Sequence, residues 1–424
     1  MRPKREEWYI GIETGRKWTQ ISCYHAGQTE PETKSTIVGT EVYQIPTALC
    51  KHKQTGQWYF GEEGRRLAET GEGYYAADLL YRAWNNETIA LDQEYQTQDL
   101  LVIFFRKVLR LALPAQGSEA VTKCIFSVEK VTEEIVVFFR ALALKLGFME
   151  EQIQIQDHRE SFYAYVVSQD SSLWKQQVLL FEEEGDGVLC RLLSCGRTAV
   201  SPKPVEVGEI FLGKLPQEME ERDHKFAEMA GEALAGRIVS AVYLIGSGFE
   251  GGWMKESLKL VCRSRRAFQG KNLYTRGACY AGVLQRYQDK AETIYVSEYK
   301  VKESIFIKAV KSNQTYFYPL LIAGENRYQV SREFRLILEE GDDFLELYVQ
   351  KPGERDARVE SLELTGLPVS AHGRSRLSVL VFTGEEGRIF LKLRDLGWGM
   401  IKPGSGQEWE YEIDKESEPE KNLR

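Results

Sequence analysis

Histidine is scarce in this chain, five residues in 424, and the five are scattered. That leaves little material for a histidine metal site or a histidine-based catalytic triad. The seven cysteines (Cys23, Cys50, Cys124, Cys190, Cys195, Cys262 and Cys279) lack the paired spacing of a metal site. Most lie inside apolar runs, and they read as reduced, buried thiols of a cytosolic protein. No stretch approaches the ~20 apolar residues needed to span a bilayer. The first residues, Met1-Arg2-Pro3-Lys4-Arg5-Glu6-Glu7, are charged and lead straight into a strand-like run. No signal segment is therefore expected, and the expected location is cytoplasmic. Positive charge is not in surplus either: 55 basic against 63 acidic residues give a formal net charge of -8. This balance disfavours nucleic acid and anionic membrane as partners, a local basic patch aside.

What is present is ordinary globular composition, 43% hydrophobic and 28% charged, in a chain long enough for two or three cores. Trp8–Ile12 and Trp18–Tyr24 read as strands around a tight turn at Gly15. Tyr43–Cys50 and Trp58–Phe60 read as a second hairpin. Helical spacing of apolar residues appears in Gly61–Ala68 and Asp99–Leu113. An alternation follows, with strand Val121–Val128, helix Thr132–Leu146, strand Gln152–Gln156 and helix Glu160–Ser168. Gln177–Glu182 and Val188–Leu193 form a further hairpin around Gly185-Asp186-Gly187. Then come a long helix over Pro216–Arg237, strand Ala241–Ile245, and helices Met254–Cys262 and Thr275–Arg286. From about Ile294 short alternating runs replace this pattern: Ser304–Val310, Thr315–Leu321, Glu333–Glu339, Phe344–Val349 and Leu377–Phe382, between Gly, Asp and Asn turns. Such texture predicts an all-β module. The expected division is an α/β domain over 1–292, a β domain over 293–413 and a disordered tail over 414–424.

A glycine-bearing turn can present backbone N–H groups to phosphate oxygens. Here the turn is Ile12-Glu13-Thr14-Gly15-Arg16-Lys17-Trp18; taken alone, it is better explained as a plain β-hairpin. The order of the later segments adds to it. Ile45-Pro46-Thr47-Ala48 and Phe60-Gly61-Glu62-Glu63 come first, followed by Asp157-His158-Arg159-Glu160 at a strand-to-helix junction. Next are the acidic turn Glu182-Glu183-Glu184-Gly185-Asp186-Gly187 and the strand end Ile245-Gly246-Ser247-Gly248. Arg276-Gly277-Ala278 then opens a helix, and Leu362-Glu363-Leu364-Thr365-Gly366-Leu367-Pro368, Gly373 and Leu391–Asp395 lie in the β module.

In that order these segments resemble the actin-like ATPase superfamily, and within it the DnaK-type heat-shock-70 chaperones, over about residues 8–413. The resemblance implies a ribonuclease H-like α/β nucleotide-binding domain with a reduced second lobe, then an all-β client-binding sandwich without a helical lid. It implies ATP or ADP with Mg²⁺ as cofactor and a polypeptide client or partner protein. Gly15 and Gly185 would serve the phosphates through their backbone, with Arg16, Lys17 and Gly187 beside them. Glu13 and Glu182 would hold Mg²⁺, Asp157 would position the attacking water, and Gly246, Ser247 and Gly248 would line the adenosine floor. Phe306, Tyr316, Phe317 and Tyr318 fall nearest the client-facing strands, although core packing is the alternative for each.

The departures from the family fall on the same positions. Glu13 stands for an aspartate, and Arg16 and Lys17 for two threonines. Glu182 stands for the aspartate of the second loop, Glu184 and Asp186 for glycines, Gly187 for a threonine and Leu189 for a later aspartate. A carboxylate ~4 Å from a phosphate charge costs about 4 kcal/mol at an effective dielectric near 20 unless a cation intervenes. The acidic turn is therefore read first as a solvated loop. Arg16 and Lys17 are left with two roles, binding phosphate or pairing with the acidic residues. Residues Ser194–Ser240, mostly one helix by pattern, replace a whole subdomain of the family. Three readings follow: a chaperone-like polypeptide binder with a degenerate ATP site, a scaffold that binds no nucleotide, and an ATPase with reorganised groups. A sugar kinase is disfavoured by the β module.

Overall fold

The computed structural model describes residues 2–4, 6–37, 39–287, 291–311, 313–339, 341–367, 374–398, 400 and 403–413. The expected tail 414–424, and Pro368 and Gly373, lie outside the described residues. The chain is mixed α/β and forms two compact units, one of residues 1–194 with 207–290, the other of 195–206 with 291–424.

The first unit contains two sheets built on one plan. In the first sheet, Trp8–Thr14 and Trp18–His25 form an antiparallel hairpin. Trp8–Thr14 pairs in parallel with Lys123–Val128, which pairs in parallel with Ile153–Asp157. In the second sheet, Gln177–Glu183 and Val188–Cys195 form the hairpin. Gln177–Glu183 then pairs in parallel with Val239–Ile245, and that strand with Arg266–Gly270. The strands nearest each hairpin are buried along most of their length. That is why their sequences read as continuous apolar runs rather than alternations.

Helices supply the crossovers. Glu133–Lys145 is started by Thr132, whose hydroxyl accepts from the Ile135 N–H at 3.4 Å. His158–Val167 and Leu273–Arg286 pack directly on each other. Their backbones approach closely at Gly277, where an added Cβ would lie 2.0 Å from the Ser161 carbonyl oxygen. Only glycine fits there.

Several expectations need correction. The stretch Tyr43–Cys50 is split: Ile45–Pro46 pairs with the first hairpin, and Leu49–His52 pairs with Trp58–Tyr59. The segment read as mostly one helix contains an eleven-residue strand, Lys203–Gly213, ahead of a shorter helix, Met219–Leu234. Pro204, Gly208 and the exposed Ile210 and Phe211 hid the strand's alternation. Among the described residues, no helix is long and apolar enough to cross a membrane. Five cysteines are buried, but Cys195 is half-buried and Cys262 exposed.

In the second unit Lys203–Val205 pairs in parallel with Thr293–Tyr295. Beyond them stand two four-stranded antiparallel sheets. One runs in the order Gln314–Leu321, Ser304–Lys311, Phe344–Gln350, Arg358–Glu363. The other runs Ser331–Leu338, Ser375–Thr383, Ile389–Asp395, Glu408–Glu412. They share one apolar core, with Ile305, Ile307, Leu345 and Leu347 from the first sheet and Leu377, Val379, Leu391 and Leu393 from the second. Period-two alternation puts these side chains inward.

Candidate functional site

In open parallel sheets the crevice that receives ligands lies beyond the carboxyl ends of the strands. In the first unit those ends carry Glu13-Thr14, Asp157, Glu182-Glu183 and Ile245-Gly246. Both hairpin turns open there, so the candidate residues on the two sheets converge on one region.

The first turn is closed by its own hydrogen bonds. The Gly15 N–H donates to the Trp18 carbonyl at 3.0 Å, and the Gly15 carbonyl accepts from the Thr47 hydroxyl at 3.2 Å. Thr14, Thr19 and Thr47 link their hydroxyls beneath it, at 2.9 and 3.0 Å. Arg16 points outward, over the Tyr81 ring at 4.5 Å and beside Asp78 at 3.4 Å. Lys17 is exposed. Arg16 therefore does not pair with Glu13 or the acidic turn; its partner, Asp78, belongs to a different segment.

The second turn is organised by a buried arginine. Arg191, 1% exposed, projects from the hairpin's return strand. Its Nη1 contacts both the Glu182 carboxylate and the Tyr274 hydroxyl, and its Nε lies 2.7 Å from Glu209 Oε2. The Tyr274 hydroxyl also donates to Glu182 Oε2 at 2.7 Å. Burial raises the Glu182 pKa, but Arg191, His158 and Tyr274 outweigh it and hold the carboxyl below its usual value. Glu13 feels Arg191 only as a weaker, opposing pull. Burial, then the charges of Glu182 and Glu184, push it well above the usual carboxylate range. Partial burial and Glu182 raise Glu184 in the same direction.

His158 bridges the two sides. Its ring stacks on Tyr274 with centroids 4.2 Å apart and planes 9° from parallel. Its Nε2 stands 3.7 Å from Glu13 Oε1. Burial lowers its pKa to about 4, so the imidazole is neutral at physiological pH. Asp157, fully buried, caps the following helix: its Oδ1 accepts from the Glu160 N–H at 2.7 Å, and its Oδ2 meets Arg159 Nε at 2.8 Å. Burial raises its pKa despite these partners.

Gly246, Ser247 and Gly248 pack against the acidic turn itself. A Cβ on Gly246 would lie 2.2 Å from the Glu183 carbonyl oxygen, and one on Gly248 would lie 1.2 Å from Glu183 Oε2. The Ser247 hydroxyl donates to Glu184 Oε2 at 3.4 Å. Arg222 closes this side, with Nη2 3.3 Å from Glu183 Oε2 and 3.0 Å from the Gly248 carbonyl oxygen. Gly185 keeps a left-handed φ of +92° in the turn, and a side chain on Gly187 would meet the Phe211 ring. The cavity beside Ser247, Glu184 and Lys271 measures about 120 Å³, well short of the ~300 Å³ at which small-molecule pockets begin.

The structure thus brings Glu13, Glu182 and Gly246–Gly248 together but leaves Arg16 apart and sets Asp157 into a helix cap. The sequence reading missed His158, Arg191, Tyr274 and Arg222. A lone arginine in the apolar strand Val188-Leu189-Cys190-Arg191-Leu192-Leu193 was the available signal for one of them. Among the described residues, no group of three or more His, Cys, Asp or Glu side chains is arranged to hold a metal ion.

Comparison with known proteins gives two matches. Residues 30–298 match the model of a family of unknown function, DUF5716, in its C-terminal part. Residues 300–415 match a domain of unknown function, DUF8552. No curated protein matches the chain. Since the first match covers well over half of the sequence, the chain belongs to the DUF5716 family, through that family's C-terminal part.

Proposed function

We propose that this protein is a nucleotide-independent, heat-shock-70-like polypeptide binder. In this reading an actin-like α/β unit is kept as a scaffold and the β unit holds an extended chain. The repeated sheet plan of the first unit, a hairpin followed by parallel strands, supports the actin-like part. The two antiparallel sheets over one core support the client-binding-type sandwich.

The observation that carries the reading is a cleft occupied by its own side chains. The groups expected to serve a nucleotide already serve each other: Gly15 bonds within its hairpin, Glu182 is held by Arg191 and Tyr274, and Glu183 fills the space beside Gly248. Mg²⁺ with ATP or ADP fits this arrangement poorly. Glu182 is already tied to Arg191 and Tyr274, and burial holds Glu13 well above the usual carboxylate range, so neither stands ready as a charged ligand for the metal. Asp157 is committed to Arg159 and to a helix start, which leaves no water-positioning base in the ATPase reading.

For polypeptide binding the relevant edge is Gln314–Leu321, which among the described residues pairs on one side only within its sheet. An edge strand offers unpaired N–H and C=O groups to an added strand. Tyr316 and Phe317 are exposed on it, and Phe317 meets Tyr348 edge-on at 5.0 Å. Tyr318 instead packs on the core beside Phe334, and Phe306 is half-buried. Titrating a permanently unfolded, carboxymethylated protein tests the reading, with and without MgATP. Saturable binding, weakened by Phe317→Asp and unchanged by MgATP, is expected. A MgATP-dependent affinity, or no binding, would count against it.

A further inference from the structure

A groove of about 630 Å³ lies on the first unit, away from the acidic turn, between the helices Thr97–Leu109 and Glu133–Lys145. Its lining is mostly apolar, with Asn86 and Gln98 among the polar residues. Trp84 stands 41% exposed at one side and meets the Phe138 ring edge-on at 5.3 Å. Leu101 and Val102 form the floor from the Thr97–Leu109 helix. Val137, 61% exposed, stands as a ridge beside it. An apolar helix face left in water is costly, by roughly 25 cal/mol per Å² that could be buried, and such patches mark interfaces.

The charges show what covers it. Along the Glu133–Lys145 helix the groove-lining positions are Glu133, Glu134, Val137, Phe138, Ala141, Leu142 and Lys145, a spacing of three and four that keeps them on one face. The acidic pair stands at the amino end and the lysine at the carboxyl end. None of these three charges makes an ion pair among the described residues, although Thr132 hydrogen-bonds Glu134. In contrast, Arg140, off the groove face, is paired with Glu150.

The arrangement is symmetric about the middle of the helix. Glu133 and Glu134 lie about as far before the Val137–Ala141 midpoint as Lys145 lies after it. A second copy of the helix, laid antiparallel across that midpoint, sets each acidic pair against the other copy's lysine. Small Ala141 gives the two backbones room to approach. That is the self-complementary pattern a two-fold interface requires.

We propose that this face is a two-fold homodimer interface, in which the Val137 ridge of each copy enters the groove between the two helices of the other. Two helices from each copy then form one apolar layer, with Glu133/Glu134–Lys145 pairs at both rims. The charges set register more than affinity, as rim charges do. The proposal does not depend on the state of the acidic cleft.

The test is sedimentation equilibrium of the full chain across a wide concentration range, with folding checked by circular dichroism and thermal midpoint. A reversible dimer is expected. Val137→Glu should weaken it at least about tenfold, equivalent to ~1.4 kcal/mol. Glu134→Lys and Lys145→Glu should each weaken it, and the two together should restore it, which a merely structural loss would not do. Zero-length carbodiimide coupling should join Glu133 or Glu134 of one copy to Lys145 of the other. A folded chain that stays monomeric overturns the proposal and leaves the groove to a different protein. So does a dimer indifferent to Val137→Glu and to the charge exchange.

Discussion

The carboxylate of Glu183 occupies the space that a side chain on Gly248 would need, its Oε2 only 1.2 Å from the position of such a Cβ. Arg222 holds it there at 3.3 Å. Gly248→Ala must therefore displace Glu183 and disturb this pair. The expected cost is about 1–3 kcal/mol, the range for overpacking, read from the urea midpoint. Glu183→Ala in the same chain should recover part of the loss.

Arg191→Met leaves the half-buried Glu182 without its cation and close to Glu13 and Glu184. Breaking one side of a buried pair costs roughly 3–5 kcal/mol. Denaturant unfolding should show a loss in that range. Adding Glu182→Gln should return much of it, so that the double variant is less damaged than the two single losses summed.

Asp223 starts the Glu256–Val261 helix from a distance in sequence. Its carboxylate accepts from the N–H groups of Lys255, Glu256 and Ser257 at 2.8, 2.7 and 2.9 Å, and from the Ser257 hydroxyl at 2.5 Å. Burial opposes ionisation, but these donors bring its pKa down to about 2. The stability it adds is present above the ordinary aspartate value and is lost as pH falls towards 2. Asp223→Ala should cost about 2–3 kcal/mol at neutral pH and should flatten the acid limb of a stability–pH curve.

His158 acts in a higher window. Its folded pKa is lowered by burial from 6.5 to about 4. Between those values the unfolded chain takes up a proton that the folded chain refuses, so stability falls as pH drops from 6.5 to 4. At about 1.36 kcal/mol per unit the loss approaches ~3 kcal/mol. Glu13, whose pKa is raised, works in the opposite direction over part of that range. The difference between wild-type and His158→Gln curves is therefore the quantity to read. It should widen towards acid, to the disadvantage of the wild type.

The hairpins and the first parallel strands were legible because strands buried on both faces make continuous apolar runs. The β unit was legible because half-buried strands alternate. The repetition of the sheet plan was not, since it is a repetition of pairing order rather than of residues. Lys203–Gly213 was obscured by Pro204, Gly208 and an exposed second half. In the cleft, the turns and strand ends could be placed from the order of segments. The partners of their side chains could not, because Tyr274 and His158 reach Glu182 and Glu13 from distant positions in sequence, while Arg191 reaches Glu182 from across its own hairpin. The acidic run read as solvated is in part internal: Glu183 is buried, while Glu184 and Asp186 are exposed.

Isothermal calorimetry of MgATP and MgADP into the folded protein tests the closed cleft most directly. No saturable heat at millimolar nucleotide is predicted, for the wild type and for Gly15→Asp alike. Saturable binding to the wild type that Gly15→Asp abolishes would contradict it, and would show that Glu182, Arg191 and Tyr274 part to admit a nucleotide.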